Sequence, residues 1–309
     1  MDISLSKSRS RSGRQPPASL ALDEIADILG RVALPGSLQD FKEALFKPAP
    51  AAMRRRRSVA VRDLPGETTP VPWYRLGHLP ASDDPKPSRF LAFAAGDYYV
   101  QDAGSLLALA VAGADTCSLS GLTICDLCAA PGGKASALVE AIDEGDTEGG
   151  FVLANEAIGS RLGALKLNLA RTGSDRYAIS SLDPDSLADR LAGTFDVVVV
   201  DAPCSGQTML ARGKQKTSSL SAKQVRHNAL RQSRILDAAV RLVRDGGRIV
   251  YSTCTFAEAE NEQQVQRLIA SGNAVAQSIE HLDSYQTQPG CFRLWPHLHD
   301  CAGSFAALL

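Results

Sequence analysis

Two of the seven cysteines, Cys204 in VVDAPCSG and Cys254 in YSTCTF, each follow a strongly β-forming run. If those runs are neighbouring strands, about 4.8 Å apart, both thiols face one cleft with the carboxylate of Asp201. An acid closing an apolar strand is costly unless it has a partner or a task. Two thiols and a carboxylate suit covalent catalysis, in which one sulfur adds to an electrophilic carbon and the other groups manage protons. The bland alternative is two small side chains filling gaps. It does not explain why both occupy the same topological position.

A second constellation lies upstream. DLCAAPGGK (126–134) sits at a strand-to-helix turn, where Gly132 and Gly133 would let a ligand approach the backbone. It is neither G-x-G-x-x-G nor a Walker A loop. Asn155-Glu156 ends the next strand. A carboxylate there could accept both hydroxyls of a ribose, although an acid at a helix N-terminus reads the same way. Asp183 follows a third strand and equally suits an Asx turn. Cys125 and Cys128 form a C-x-x-C, and Cys291, His297, His299 and Cys301 cluster late in the chain. Cys125 falls inside a predicted strand and there is no second C-x-x-C, so no metal site is expected.

The elements that must position these residues alternate. Strands are predicted at 122–128, 151–156, 177–182 and 195–203, then a helix over 223–244, the strand RIVYST, the helix EAENEQQVQRLIA, and strands near 291–295 and 303–308. Buried β-branched strands alternating with helices predict a parallel, doubly wound α/β sheet, which binds ligands at the carboxyl ends of its strands. Ahead of it, residues 20–47 have helical spacing. RRRR (54–57) precedes strand-like alternation in SVAVRD, and 64–90 reads as loops. The expected division is a disordered basic tail over 1–18, a small α+β region over 19–95 with the charge to bind a polyanion, and an α/β domain over 96–309 that carries the thiols.

Composition is that of a globular protein, 44% hydrophobic and 22% charged. The net charge of −1 conceals an asymmetry: residues 1–100 hold 15 Lys and Arg against 11 Asp and Glu. Residues 205–248 hold ten basic residues against Asp237 and Asp245. A polyanion could use both regions. The best placed groups are RRRR and the loop ARGKQK (211–216), with the helix residues Lys223, Arg226, Arg231, Arg234, Arg241 and Arg244 as a possible solvated face. An odd number of scattered cysteines argues for reduced thiols in a cytoplasm. No apolar run is long enough for a membrane span, and no signal core is present.

Together, CAAPGGK, DAPCSG, STCT followed by ENE, and RLWPHLHDCAGSFAALL resemble the RsmB/RsmF-like and Sun-domain RNA (cytosine-5) methyltransferases. YYVQDAGSLLAL (98–109) is similar to the segment before that family's catalytic core. The resemblance implies a class I, Rossmann-like methyltransferase fold and S-adenosylmethionine as cofactor. It implies that Cys128, Ala129, Ala130, Pro131, Gly132, Gly133 and Lys134 hold the methionine and ribose part. It further implies Glu156 for the ribose hydroxyls, Asp183 for the adenine side, and Asp201 for both cofactor and base. Cys254 matches the nucleophile and Cys204 the product-release cysteine. The implied partner is RNA, ribosomal or transfer, with no membrane and a monomer favoured. Where the family often shows Arg-x-Asn, this chain has Arg62 and Asp63. No further RNA-binding domain is expected after the last strand. Two other readings stay open: a DNA-enzyme-like arrangement in which Cys204 attacks, and a non-catalytic RNA-binding factor that retains the fold.

Overall fold

The computed structural model describes residues 22–82, 85–116, 119–143, 149–211 and 216–309. Two short helices, α1 (Leu22–Leu29) and α2 (Leu38–Ala44), open it. Strands β1 (Ala51–Arg55), β2 (Thr68–Pro70) and β3 (Gly77–Pro80), helix α3 (Leu91–Ala95) and strand β4 (Tyr98–Asp102) follow. These strands form one antiparallel sheet in the order β2-β3-β1-β4. That sheet runs past residue 95, because β4 pairs with β1 along its whole length.

The second sheet holds the site. After α4 (Leu107–Ala112) come β5 (Thr123–Asp126), α5 (Gly133–Asp143), β6 (Phe151–Asn155), α6 (Leu162–Ala170), β7 (Tyr177–Ser180), α7 (Pro184–Ala188) and β8 (Phe195–Asp201). Then come α8 (Ala222–Leu242), β9 (Val243–Thr253), α9 (Glu262–Ala270), β10 (Gln286–Gln288), β11 (Cys291–Leu294) and β12 (Ser304–Leu308). The strand order is β10-β11-β12-β9-β8-β5-β6-β7. Strands β5 to β9 pair in parallel, and the last three join antiparallel at the β9 edge. The chain winds outward from β5 to β7, returns to β8 beside β5, and winds the other way. The crevice of a doubly wound fold opens at this reversal.

The valines of β8 show why the sheet is buried on both faces. Val197 and Val199 enter the core under α4, α5 and α6, while Val198 and Val200 enter the core under α7, α8 and α9. All four are fully buried, as a period of two requires of a central parallel strand. Helix α8 buries Val225, Asn228, Gln232, Ile235, Ala239 and Leu242 at alternating three- and four-residue steps. Its Ser221 cap accepts from the Gln224 N–H. Among the described residues no helix is long and apolar enough to cross a membrane.

The basic run behaves differently from its expected exposure. The strand includes Arg54 and Arg55 rather than following them, and Val61–Asp63 is a single 3-10 turn. Arg54 is 1% exposed; it pairs with Glu140 of α5 and donates to Ser136 Oγ at 2.9 Å. Arg55 donates to the Val59 carbonyl at 2.8 Å. Arg56 donates to the carbonyls of Arg171 and Thr172, at the end of α6, and Arg57 to that of Thr116. A guanidinium offers five donors in a fixed fork. Here the run is spent on orphan carbonyls and one buried acid, which binds the small sheet to the large one. Helices α1 and α2 are tied in as well: Ile25, Ile28 and Phe41 share a core with Leu220, Phe256 and Trp295.

Arg54→Ala should therefore destabilise the fold by about 2 kcal/mol or more, because it removes the close partner of the largely buried Glu140 carboxylate and leaves it only Arg56, 4.0 Å away. Urea denaturation would measure this. A loss under about 1 kcal/mol would show that Glu140 finds water or another partner.

Candidate active site

β8 and β9 are neighbours in register, with Asp201 beside Ser252. The chains turn immediately beyond them, and Cys204 Sγ lies 3.1 Å from Cys254 Sγ. Both thiols are part-exposed. The Cys254 N–H also donates to Cys204 Sγ at 3.3 Å. Thiols this close cannot share charge equally: the first to ionise accepts a hydrogen bond from the other. The Cys204 S–H is the largest influence that lowers Cys254 below the ordinary thiol value. Burial and Asp201 oppose it, while the Lys134 ammonium and the Thr208 hydroxyl assist. Cys204 is pushed well up by the same sulfur contact, by burial and by the charge of Glu260; the Cys254 N–H pulls the other way and is outweighed. Cys254 is thus the more acidic of the two thiols, and Cys204 its hydrogen-bond donor.

Asp201 accepts from Lys134 Nζ at 2.8 Å and from Ser252 Oγ at 2.9 Å. Burial works against the Lys134 charge, but Asp201 and then Asp126 outweigh it and raise the lysine. The side chain of Lys134 is 14% exposed and that of Asp201 36%, so the acid faces the cleft from a buried ammonium.

The loop from Cys128 to Lys134 joins β5 to α5, with a cis peptide at Ala130–Pro131 and Gly132 at a φ of 110°. Its glycines serve the chain's own packing. A Cβ on Gly133 would lie 2.9 Å from Gln101 Oε1 and 3.0 Å from a Tyr99 ring atom, and one on Gly132 would lie 3.0 Å from Asn168 Cβ. The expected opening for a ligand is, on those sides, filled by β4 and α6. Asn168 donates to the Pro131 carbonyl and the Ala129 N–H to the Asn155 carbonyl, which fixes the loop's shape.

Glu156 ends β6 and is 3% exposed. It accepts from the Ile158 N–H and from Arg161, both at 2.9 Å. A cavity beside it is lined by Cys128, Glu156, Asp183, Pro203, Arg231 and Arg234. Asp183 caps α7, accepting from the Asp185 N–H at 3.1 Å, as an Asx turn does. It nevertheless lines the same cavity as Glu156. Cys128, Glu156 and Asp183 are thus brought together, whereas Cys204 and Cys254 do not line this cavity.

Three positions take on roles that the sequence did not assign them. Asn155, 0% exposed, joins three strand ends, donating to the Leu127 and Leu182 carbonyls and accepting from Ser180 Oγ and the Leu182 N–H. Arg161 bridges Glu156 and the Ala130 carbonyl. Gln207 accepts from the Phe256 N–H, linking the two cysteine turns. Only Asn155 carried a sequence signal, as a polar residue closing an apolar strand. Of the basic residues expected on that helix, Arg234 and Arg241 of α8 pair with Asp185, whereas the helix ends at Leu242 and Arg244 stands in β9, paired with Asp196. Lys223, Arg226 and Arg231 are exposed. In the loop ARGKQK, residues 212–215 lie outside the described residues. In the late cluster, Cys291 is buried in β11 and His299 Nδ1 accepts from the Trp295 N–H, so packing accounts for both.

Comparison with known proteins places this geometry in context. The family described as 16S rRNA methyltransferase RsmB/F matches residues 119–309. Ribosomal RNA small subunit methyltransferase F of Cronobacter sakazakii is 29% identical over 94% of this chain and 63% of its own length. The protein of that name from Vibrio cholerae is 29% identical, over 94% and 64%. This chain therefore spans less than two thirds of the length of those relatives. Among solved structures, NSun6 from Pyrococcus horikoshii with SFG superposes with a TM-score of 0.76 at 19% identity, covering 94% of this chain and 97% of that one. A methyltransferase homologue from the same organism gives 0.75 at 22%, covering 93% and 97%. At such identities these two likenesses establish the fold, a class I methyltransferase sheet.

Asp126 yields a pH test. It is 1% exposed, and burial pushes its carboxyl from 3.8 up to about 7, with Asp201 adding to the shift and Lys134 opposing it. An acid raised in the folded state stabilises the fold while protonated and loses that contribution as pH rises through its folded value. Asp126→Asn keeps the shape of the protonated acid. Between about pH 4 and pH 8 the wild type should lose up to about 4 kcal/mol relative to this variant. Denaturation of both proteins at the two pH values checks it, and a constant difference would refute the shift.

Proposed function

The chain belongs to the 16S rRNA methyltransferase RsmB/F family, and on that premise we propose that it methylates C5 of a cytosine in RNA through a covalent bond between Cys254 and C6. The observation that carries this reading is the contact between two chemically unequal thiols beside the Lys134–Asp201 pair. The names of the relatives make small-subunit ribosomal RNA the first substrate to test.

The proposed cofactor is S-adenosylmethionine, which supplies an electrophilic sulfonium methyl group when bound. The residues present fit it. The cavity beside Glu156 and Asp183 is lined by Cys128, the first residue of the loop that follows β5, and the rest of that loop leads on to Lys134. One oxygen of Glu156 is oriented by the Ile158 N–H, and Arg161 would yield the other to a ribose hydroxyl.

The chemistry assigned to the chain follows. Cytosine C5 is a weak nucleophile. Addition of the Cys254 thiolate to C6 places the ring electrons on C5, which can then take the methyl group. Asp201, anchored by Lys134 and Ser252, is placed to hydrogen-bond the N3/N4 edge, stabilise the adduct and read cytosine over uracil. When solvent in the open cleft accepts the C5 proton, the bonding electrons it leaves re-form the C5–C6 double bond and expel the Cys254 sulfur as a thiolate. The Cys204 S–H, 3.1 Å away, donates to that departing sulfur. The target base must be unstacked to reach the thiols. The division proposed is RNA contact for the region expected over 19–95, extended through β4 to Asp102, and catalysis for the large sheet beyond it. Exposed Lys223, Arg226 and Arg231 are the candidates on α8 for phosphate contact.

Two experiments test this. Glu156→Ala should weaken S-adenosylmethionine binding by roughly tenfold or more, the value of a charge-assisted hydrogen bond; equal calorimetric affinities would remove Glu156 from the ribose site. Cys254→Ala should form no adduct with RNA and transfer no methyl group. Cys204→Ala should methylate once and then stall as a protein–RNA species that survives denaturing electrophoresis. The opposite pattern would make Cys204 the nucleophile. Cofactor binding without transfer to any RNA in the wild type would favour a non-catalytic binding factor.

A further inference from the structure

Glu260, Asn261 and Glu262 follow the Cys254 turn and are 0%, 0% and 2% exposed. Three such polar residues in a row are costly to bury without partners. Their partners flank the cysteines. Glu260 Oε2 accepts from the Ser205 N–H and from Gln232 Nε2, both at 2.9 Å, and the same Gln232 nitrogen donates to the Pro203 carbonyl at 3.0 Å. Cys204 is thereby gripped on both sides. Asn261 Oδ1 accepts from Thr253 Oγ1 at 2.5 Å, and its Nδ2 donates to the Thr255 carbonyl at 2.9 Å. Cys254 is gripped on both sides too. The residues following the two cysteines are joined directly, Ser205 Oγ to Thr255 Oγ1 at 2.7 Å. Glu262 anchors the group through a two-pronged pair with Arg293 of β11, which also donates to the Phe256 carbonyl.

Asn261 sits at the N-terminus of α9, where asparagine ordinarily caps the helix with its side chain. Here that side chain makes no cap and is turned instead onto the flanks of Cys254. We propose that Glu260 and Asn261 are positioning residues that clamp the two cysteine turns together, so that the thiols act as a pair. The clamp follows from the geometry alone; its effect on methyl transfer rests on the function proposed above.

The test reads thiol proximity first. Diamide takes up two electrons and two protons as two thiols join, and peptide mapping by mass spectrometry identifies the bond. In the full wild-type chain the Cys204–Cys254 disulfide should form faster than any other, since thiols held in place have a high effective molarity. Glu260→Ala and Asn261→Ala, shown folded by circular dichroism, should slow it at least tenfold. Glu260→Gln, which keeps an acceptor for the Ser205 N–H, should retain the wild-type rate. If either alanine variant does not fold, Thr255→Val removes one hydroxyl link and should slow the reaction about threefold. Wild-type rates in the folded variants would overturn the clamp. In methyl transfer, the alanine variants should lose kcat with little change in KM. If the disulfide results hold but the wild type transfers no methyl group, the functional reading fails and the clamp stands.

Discussion

Two sulfur atoms fifty positions apart in the chain can meet only if the strands that carry them end at the same height. The parallel register of β8 and β9 sets that height, placing Asp201 against Ser252 and leaving three residues to one thiol and two to the other. A slip of a single residue would move one turn by about 3.3 Å and reverse every side chain of the strand. The four valines of β8, fully buried on alternating faces, make such a slip expensive. Apolar packing far from the cleft therefore determines the distance between two reactive atoms within it.

Charge in the interior divides into two kinds. Arg54 with Glu140, and Arg293 with Glu262, are enclosed and hold elements together. Lys134 with Asp201 is different, because its carboxylate is left partly open to the cleft. Buried pairs are weak contributors to net stability but strongly destabilising when split. The enclosed pairs thus act as locks, whereas the open one retains lone pairs for a ligand. The same lysine also bears on Cys254, so one ammonium serves both the acid and that thiol.

The parallel sheet was legible because its strands are β-branched runs closed by polar residues, a purely local signal. So were the cysteine positions, since both motifs sit at strand ends. What could not be read depends on partners distant in sequence. Arg54 looks like a polyanion contact until Glu140, 86 positions later, is placed against it. Gly133 looks like a gap for a ligand until Tyr99 and Gln101 fill its side. The alternation in SVAVRD suggested a strand, but pairing with β4 selects the five residues ending at Arg55. Asp183 could be read as a cap or a cavity wall and is both.

The arginines at 54, 56 and 57 also order the folding process in time. Their partners, Thr116, Ser136, Glu140, Arg171 and Thr172, are all translated later. During synthesis the small sheet must wait with its guanidiniums in water until more than a hundred further residues have emerged. A segment made before its partners is therefore among the last to be fully bonded. Folding is governed by contacts of long sequence separation, which slow it and leave the edges of a basic sheet exposed to chaperones or to nucleic acid in the interval.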